Sequence, residues 1–169
     1  MAELTPKERL QPSLLDRLTD EEPQKTQESR NQRVLSPSRL RESVRRDLSW
    51  LLNTTQLEAT EDLSGYPEVA RSTLNYGVPD LSGKTSTTVD VPTLEKAIRE
   101  AICEFEPRLL KDTVSIKVVL DDKKMSHNAL SFVIEASLWS QPLPLRVFMK
   151  TRLDLETGDI SVSEASRTD

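Results

Sequence analysis

The sequence predicts an α+β fold, with two main helices packed on an antiparallel sheet of three to four strands and a tethered N-terminal helical segment before them. Two stretches place apolar residues at spacings of three and four, the period of a helix with one buried face. From residue 114 onward the pattern changes to alternation, which is typical of half-buried strands. The expected domains are therefore a hook and linker over residues 1–35, one α+β domain over residues 36–164 and a tail over residues 165–169.

The N-terminal segment reads LQPSLLDRL and places four leucines on one face of a short helix. These leucines are Leu10, Leu14, Leu15 and Leu18. Residues 19–33 then contain no hydrophobic residue, which predicts a flexible linker. A leucine-bearing hook on a polar tether can dock on a partner or fold back on its own domain, and the sequence leaves both alternatives open.

The first main helix is expected to begin after Ser36, which can cap it, with Pro37 in the first turn. Its apolar stripe consists of Leu40, Val44, Leu48, Leu51 and Leu52. It should end near Asn53, where a loop rich in glycine and proline begins. The second helix should begin at residues 90–93 and stop at Pro107, because proline lacks an N–H donor and pushes the residue before it out of the helical region.

The remaining sequence predicts a sheet, with alternating runs in VSIKVVL, ALSFVIEASL and RVFMKTRLDL. The last run, ISVSE, is short and polar, so it is expected to be an edge strand. An open edge can accept a strand of another chain through main-chain hydrogen bonds. Ile160 and Val162 are therefore candidate partner-binding residues.

Composition limits the classes of function. The chain has 169 residues, 36% hydrophobic and 30% charged, and a net charge of −5, which argues against nucleic acid as the main ligand. Its single cysteine excludes an internal disulfide and fits a reducing compartment. No run approaches the roughly 18 apolar residues of a transmembrane helix. Since the N-terminus also lacks the features of a signal peptide, we expect a cytoplasmic protein that is not embedded in a membrane.

The sequence offers little for catalysis. His127 lies in a polar turn and Cys103 beside a helical stripe, and one residue of each kind cannot form a zinc site. No phosphate-binding loop is present. The acidic pairs that could hydrolyse a glycosidic bond are Glu104 with Glu106 and Asp121 with Asp122. They lie on a helix surface and in a turn, with few aromatic residues to stack on sugars, so we expect no catalytic residue, no cofactor and no metal.

The helix stop itself, Glu106-Pro107-Arg108, places a carboxylate and a guanidinium two positions apart. In an extended segment the side chains of Glu106 and Arg108 project to the same side. They could form a local surface ion pair, or Arg108 could offer its planar fork to a partner. In either case we expect Arg108 to be exposed in the monomer, so that its truncation costs little stability.

Four stretches in this order carry a family resemblance: LQPSLLDRL, STLNYGVPDLSG, FEPRL and TRLDLETGDI. The chain resembles the small baseplate wedge protein of contractile phage tails (the gp25-like family), and most closely its counterpart in type VI secretion, the TssE family. The resemblance implies a structural subunit that links the wedge core to the contractile sheath and helps nucleate sheath assembly. It also implies that Glu106, Pro107 and Arg108 fasten the subunit to the helical core bundle of the wedge.

The partners implied by the resemblance are the wedge subunits TssF, TssG and TssK and the sheath proteins TssB and TssC. The expected location is a cytoplasmic complex docked at the inner membrane. The family has also carried a lysozyme-like label, and a peptidoglycan hydrolase is the alternative function. The missing signal peptide argues against that alternative, because peptidoglycan lies outside the cytoplasm.

Overall fold

The computed structural model describes residues 13–19, 23–24, 36–80, 90–119, 129–140 and 143–165. Its helices are α1 (Leu14–Leu18), α2 (Pro37–Leu52), α3 (Pro67–Ala70) and α4 (Val91–Phe105). Its strands are β1 (Ser115–Val119), β2 (Ala129–Leu138), β3 (Leu145–Asp154) and β4 (Ile160–Glu164). The predicted α+β class is confirmed. Most of the predicted linker lies outside the described residues, and the domain boundaries stay a prediction.

The four strands form an antiparallel meander in the order β1-β2-β3-β4, so each strand pairs with its neighbour in sequence. The register aligns inward-facing residues across the sheet, with Ile116 opposite Ile134 and Ile134 opposite Met149. The alternation predicted for β2 is confirmed, because its even-numbered residues are buried and its odd-numbered residues are only partly so. β4 is an edge strand, as predicted.

Helices α2 and α4 cover one face of this sheet. Helix α4 packs on β1, α2 packs on β4, and the two helices contact each other. The most deeply buried side chains between these layers include Val44, Leu48, Ile98, Ile102, Phe132, Ile134, Met149 and Leu153. In the described part of the chain, no helix packs on the other face of the sheet.

Local sequence signals set the ends of both main helices. The Ser36 side chain accepts a hydrogen bond from the Arg39 N–H, and Pro37 occupies the first turn. Helix α2 ends at Leu52 with Asn53 as its C-cap, and α4 ends at Phe105 with Glu106 as its C-cap. These boundaries agree with the predicted ones.

The loop after α2 returns to pair with its own beginning. The Val78 N–H donates to the Thr54 carbonyl at 2.8 Å, and the Gln56 N–H donates to the Val78 carbonyl at 3.0 Å. Gly77 makes this close approach possible, since its φ is +136° and a Cβ there would lie 2.3 Å from the Thr54 oxygen. The neighbouring Tyr76 is thereby placed edge-on against Phe105, with ring centroids 5.3 Å apart. The loop therefore packs against the end of α4.

Candidate functional site

The Glu-Pro-Arg motif lies where α4 ends, and its main chain is anchored on both sides. The Glu106 N–H closes the last helical turn onto Ile102. The Arg108 carbonyl accepts from the Trp139 N–H at 2.8 Å, and the Leu110 N–H donates to Ser137 at 2.9 Å. The motif is therefore held against the end of β2.

Glu106 and Arg108 form a bidentate ion pair. The Arg108 Nε donates to Glu106 Oε1 at 2.7 Å, and an NH2 group of Arg108 donates to Oε2 at 2.5 Å. The Arg108 main-chain N–H also donates to Oε1, at 3.1 Å. The two side chains do meet, but the expected extended segment is wrong: residues 106–109 form a turn, in which the Leu109 N–H donates to the Glu106 carbonyl at 3.2 Å. Glu106, however, is only 3% exposed, so this is a buried carboxylate and not a surface charge.

Arg108 also reaches across to helix α2. Its NH1 group donates to Ser43 Oγ at 3.1 Å, and its NH2 group donates to Asp47 Oδ2 at 2.5 Å. The Arg108 side chain is only 23% exposed as a result. The expectation of an exposed Arg108 is therefore wrong, because α2 supplies a hydroxyl and a second carboxylate to the same guanidinium.

The electrostatics of the site favour a charged Arg108. Burial alone lowers the pKa of Arg108, but hydrogen bonds and charges from Glu106 and Asp47 raise it well above its ordinary value. Burial raises the pKa of the nearby Tyr76 hydroxyl, and the negative charges of Asp47 and Glu106 raise it further. The charges of the same two carboxylates thus act on the pKa values of both Tyr76 and Arg108.

The ion pairs continue from Asp47 to helix α1. Arg46 Nε donates to Asp47 Oδ1 at 2.9 Å, and Arg46 NH1 donates to Asp16 Oδ1 at 2.6 Å. The Arg46 guanidinium also lies over the Trp50 ring, 5.1 Å from its centroid. We call the linked set the charge network; its members are Asp16, Arg46, Asp47, Arg108 and Glu106. The members on α1 and α2 were not predicted from the sequence. One signal was available, since Ser43 and Asp47, which both accept from Arg108, are four residues apart and so lie on one face of α2.

Helix α1 is held by its acidic residue while its leucines face solvent. Ser13 caps the helix and bonds Asp16. Leu14, Leu15 and Leu18 are 70%, 44% and 75% exposed. Leu10 lies outside the described residues. The hook thus contacts its own domain through the Asp16–Arg46 ion pair and leaves three leucines uncovered by the described residues.

We expect acid to release α1 from α2. Burial alone raises the pKa of Asp16, but hydrogen bonds from Arg46 and Ser13 outweigh it and hold that pKa below its usual value. The contribution of this contact is therefore present above the unperturbed pKa of about 3.9 and is lost as the pH falls through the lowered pKa. Asp16→Asn should reproduce the released state at pH 7, because its side chain is neutral, and should lower the free energy of unfolding by less than about 1 kcal/mol. Amide NMR spectra of α1 measure this, and identical wild-type and variant spectra at pH 7 would contradict it.

The outer edge of β4 is partly capped by α2. The Asp154 N–H donates to the Asp159 carbonyl, and the Ala165 N–H donates to the Phe148 carbonyl, so the main-chain N–H and C=O groups of the odd-numbered residues of β4 point toward β3. The main-chain groups of the even-numbered residues point away from β3, toward the open edge of the sheet. The Asn53 side chain donates to the Ile160 carbonyl and accepts from the Ile160 N–H, both at 2.8 Å.

The Val162 carbonyl is occupied as well, because Arg45 NH1 donates to it at 3.2 Å. The expectation of a fully open edge is therefore wrong at Ile160 and at the Val162 carbonyl. The side chains of both residues are buried in the core, so a partner strand could use only their main chain. The opposite edge is capped similarly, since Glu95 accepts from the Val118 N–H at 2.8 Å and Arg99 donates to the Val114 carbonyl at 3.1 Å.

The residues considered for catalysis do not form a site in the described part of the chain. Glu104 is exposed while Glu106 is buried against Arg108, and Cys103 is partly buried beside the core. His127, Asp121 and Asp122 lie outside the described residues. Within the described ranges, no group of three or more His, Cys, Asp or Glu side chains could hold a metal ion. No helix in those ranges is long and apolar enough to cross a membrane.

Comparison with known proteins identifies the family. The family model described as baseplate wedge protein gp25 matches residues 38–143, which is more than half of the chain and includes all of α2 after its first residue, the loop that contains Gly77 and the Glu-Pro-Arg motif. Neither a curated protein nor a solved structure matched the chain significantly. The matched region contains four of the five members of the charge network. The chain therefore belongs to the baseplate wedge protein gp25 family, whose members are structural proteins of baseplates.

Proposed function

We propose that this protein is a wedge subunit of a type VI secretion baseplate, and that it links the wedge core to the contractile sheath. The observation that carries the proposal is the charge network, because it joins the Glu-Pro-Arg motif to α1. Arg46 contacts both Asp16 and the exposed Trp50, so the uncovered leucines of α1 lie near an exposed aromatic ring. We define Leu14, Leu15, Leu18 and Trp50 as the α1 surface. An uncovered group of large apolar side chains is typical of a protein-binding site.

The α1 surface is proposed to bind a wedge subunit of the TssF, TssG or TssK type. Replacing Leu14, Leu15 and Leu18 together by serine should reduce co-purification with these subunits at least about tenfold. The unfolding free energy should change by less than about 1 kcal/mol, because these side chains are exposed. The matched control is Leu74→Ser, at an exposed leucine elsewhere in the chain. Normal co-purification of the triple variant would contradict the proposal.

The role proposed for Glu106 and Arg108 is chiefly to hold the α1 surface in place through the charge network. Arg108 has five N–H donors, and the bonds to Glu106, Ser43 and Asp47 use four of them: Nε, one on NH1 and two on NH2. One NH1 donor is therefore left for a partner acceptor. Pro107 is exposed beside it and adds apolar surface to the same contact.

A sheath strand of the TssB or TssC type is proposed to add at β4, and the Asn53 and Arg45 side chains must then leave the strand edge. We expect Asn53→Ala to lower the unfolding free energy by about 1–3 kcal/mol, since it leaves the Ile160 main chain without its partner. The same variant should recruit sheath subunits faster than the wild type. The control is Thr54→Ala, which removes only a hydroxyl contact to the Trp50 carbonyl. Slower recruitment by a folded Asn53→Ala protein would argue against addition at this edge.

We propose no catalytic activity. The Glu106 carboxylate is occupied by three hydrogen bonds from Arg108, and Glu104 is exposed on the helix surface, so the two carboxylates do not share a cleft. A turnover assay on purified peptidoglycan tests this directly. Release of soluble sugar fragments that is lost in a Glu104→Gln variant would instead establish a hydrolase.

A further inference from the structure

The face of the sheet opposite α2 and α4 carries a group of exposed cations that have no ion-pair partner among the described residues. Its outward side chains alternate with the buried ones along β1, β2 and β3. Four cations lie on this face, all exposed: Lys117, Arg146, Lys150 and Arg152. In the described part of the chain none of these side chains makes an ion pair or hydrogen bond. The carboxylates on the face are Glu135 and Asp154, and Asp154 accepts hydrogen bonds from its own turn.

Three of these charges lie along β3. Arg146 and Lys150 are about 14 Å apart, with the outward Phe148 between them, whereas Lys150 and Arg152 are about 6.8 Å apart. Lys117 lies in the same cross-strand row as Lys150, with Val133 between them, so the two lysines are about 10 Å apart. Val119 is 40% exposed at the edge of this face. The surface thus combines separated cations with some apolar area.

This positive face belongs to a chain whose net charge is −5, so the charges are not a general feature of the composition. Glu135 lies diagonal to Lys117, Arg146 and Lys150 and offsets part of their mutual repulsion. Four cations against this carboxylate and Asp154 still leave the face net positive, which favours the approach of opposite charge from outside. We propose that this basic face docks an acidic polypeptide surface of another subunit in the baseplate, with carboxylates set against β3 and an apolar residue over Val133. A polypeptide fits better than a nucleic acid, because single strands need several aromatic side chains to stack on. Among the residues of β1–β4, Phe148 is the one aromatic residue on this face, and Trp139 is exposed just beyond the end of β2.

The test uses assembled baseplates that contain the full-length protein. A carbodiimide forms an amide only between a lysine amine and a carboxylate in direct contact, so it reports ion pairs. We expect mass spectrometry to show Lys117 and Lys150 joined to Asp or Glu residues of another subunit, with the links unchanged by nuclease. Links only to the chain's own acidic residues 20–22 would overturn the proposal, and so would lysines that stay as reactive as in the isolated protein. If the two lysines are protected in the baseplate and nuclease treatment restores their reactivity, the proposal is overturned in favour of nucleic acid.

A charge reversal provides the second arm of the test. Lys150→Glu with Arg152→Glu should reduce incorporation into baseplates at least tenfold, while Arg71→Glu, at an exposed arginine outside the sheet, should leave it unchanged. Melting curves of both isolated variants must match the wild type; if the double variant melts early, Lys150→Gln with Arg152→Gln replaces it. Normal incorporation of a folded double variant would overturn the proposal. A failure of the proposed wedge contact would appear in a different protein, as normal co-purification of the triple leucine variant of the α1 surface. The two proposals can therefore fail independently.

Discussion

The Arg108→Ala subunit is expected to lose about 3–5 kcal/mol of its unfolding free energy, even when it is studied alone. Arg108 is the ion-pair partner of Glu106, which is 3% exposed, and one of two partners of Asp47. Removing the guanidinium leaves a buried carboxylate without its main donors. The unfolding free energy of Arg108→Lys should lie between those of the wild type and Arg108→Ala, because lysine keeps the charge but not the planar fork.

Urea unfolding of the isolated proteins measures this loss, with Arg71→Ala as the control at an exposed arginine. The double variant Glu106→Gln/Arg108→Met should recover part of the stability, since it removes the buried charge together with its partner. An Arg108→Ala protein as stable as the wild type that still fails to enter baseplates would contradict the internal role. The motif would then act through its partner alone.

Gly77→Ala is expected to lower the free energy of unfolding by about 2–5 kcal/mol, because the added methyl group strains the backbone and overpacks the loop. The φ of +136° disfavours any side chain, and a Cβ would lie 2.3 Å from the Thr54 carbonyl oxygen and 2.8 Å from the Gln56 nitrogen. Both atoms are main chain and cannot rotate away. Gly65→Ala is the matched control, because nothing lies within 4 Å of its Cβ position.

The same urea experiment compares the two glycine variants. Because the Gly77 loop carries Tyr76 to Phe105, the Gly77 variant should also shift the aromatic NMR signals of Tyr76 and Phe105, whereas the Gly65 variant should not. Equal stability of the two variants would show that the loop can shift to admit a methyl group. It would then not be a fixed support for the end of α4.

The sequence predicted what depends on neighbouring residues. Both helices begin and end where capping, proline and apolar spacing indicated, and the β2 alternation identified its buried face. The pairing of Glu106 with Arg108 was one of the two alternatives that the sequence left open, since the residues are two positions apart, although the segment is a turn and not extended as expected. The partner Asp47 was not, since it lies 61 positions away and only the packing of α2 beside α4 brings it to Arg108.

The same distinction explains the error at the sheet edge. The short polar run ISVSE was correctly predicted as an edge strand. Its cap could not be predicted, because Asn53 and Ile160 are 107 positions apart and meet only after α2 packs on β4. Exposure depends on such long-range contacts, whereas secondary structure depends mainly on local ones.

If a sheath strand adds at β4 as proposed, the capped edge has a consequence for the timing of assembly. A subunit whose strand edge is already hydrogen-bonded by Asn53 and Arg45 presents an activation barrier to strand addition. Free subunits in dilute solution would then nucleate sheath polymerisation slowly. A site at which neighbouring subunits draw these two side chains away would nucleate it quickly. The fold would thus act as a kinetic checkpoint that confines polymerisation to completed baseplates.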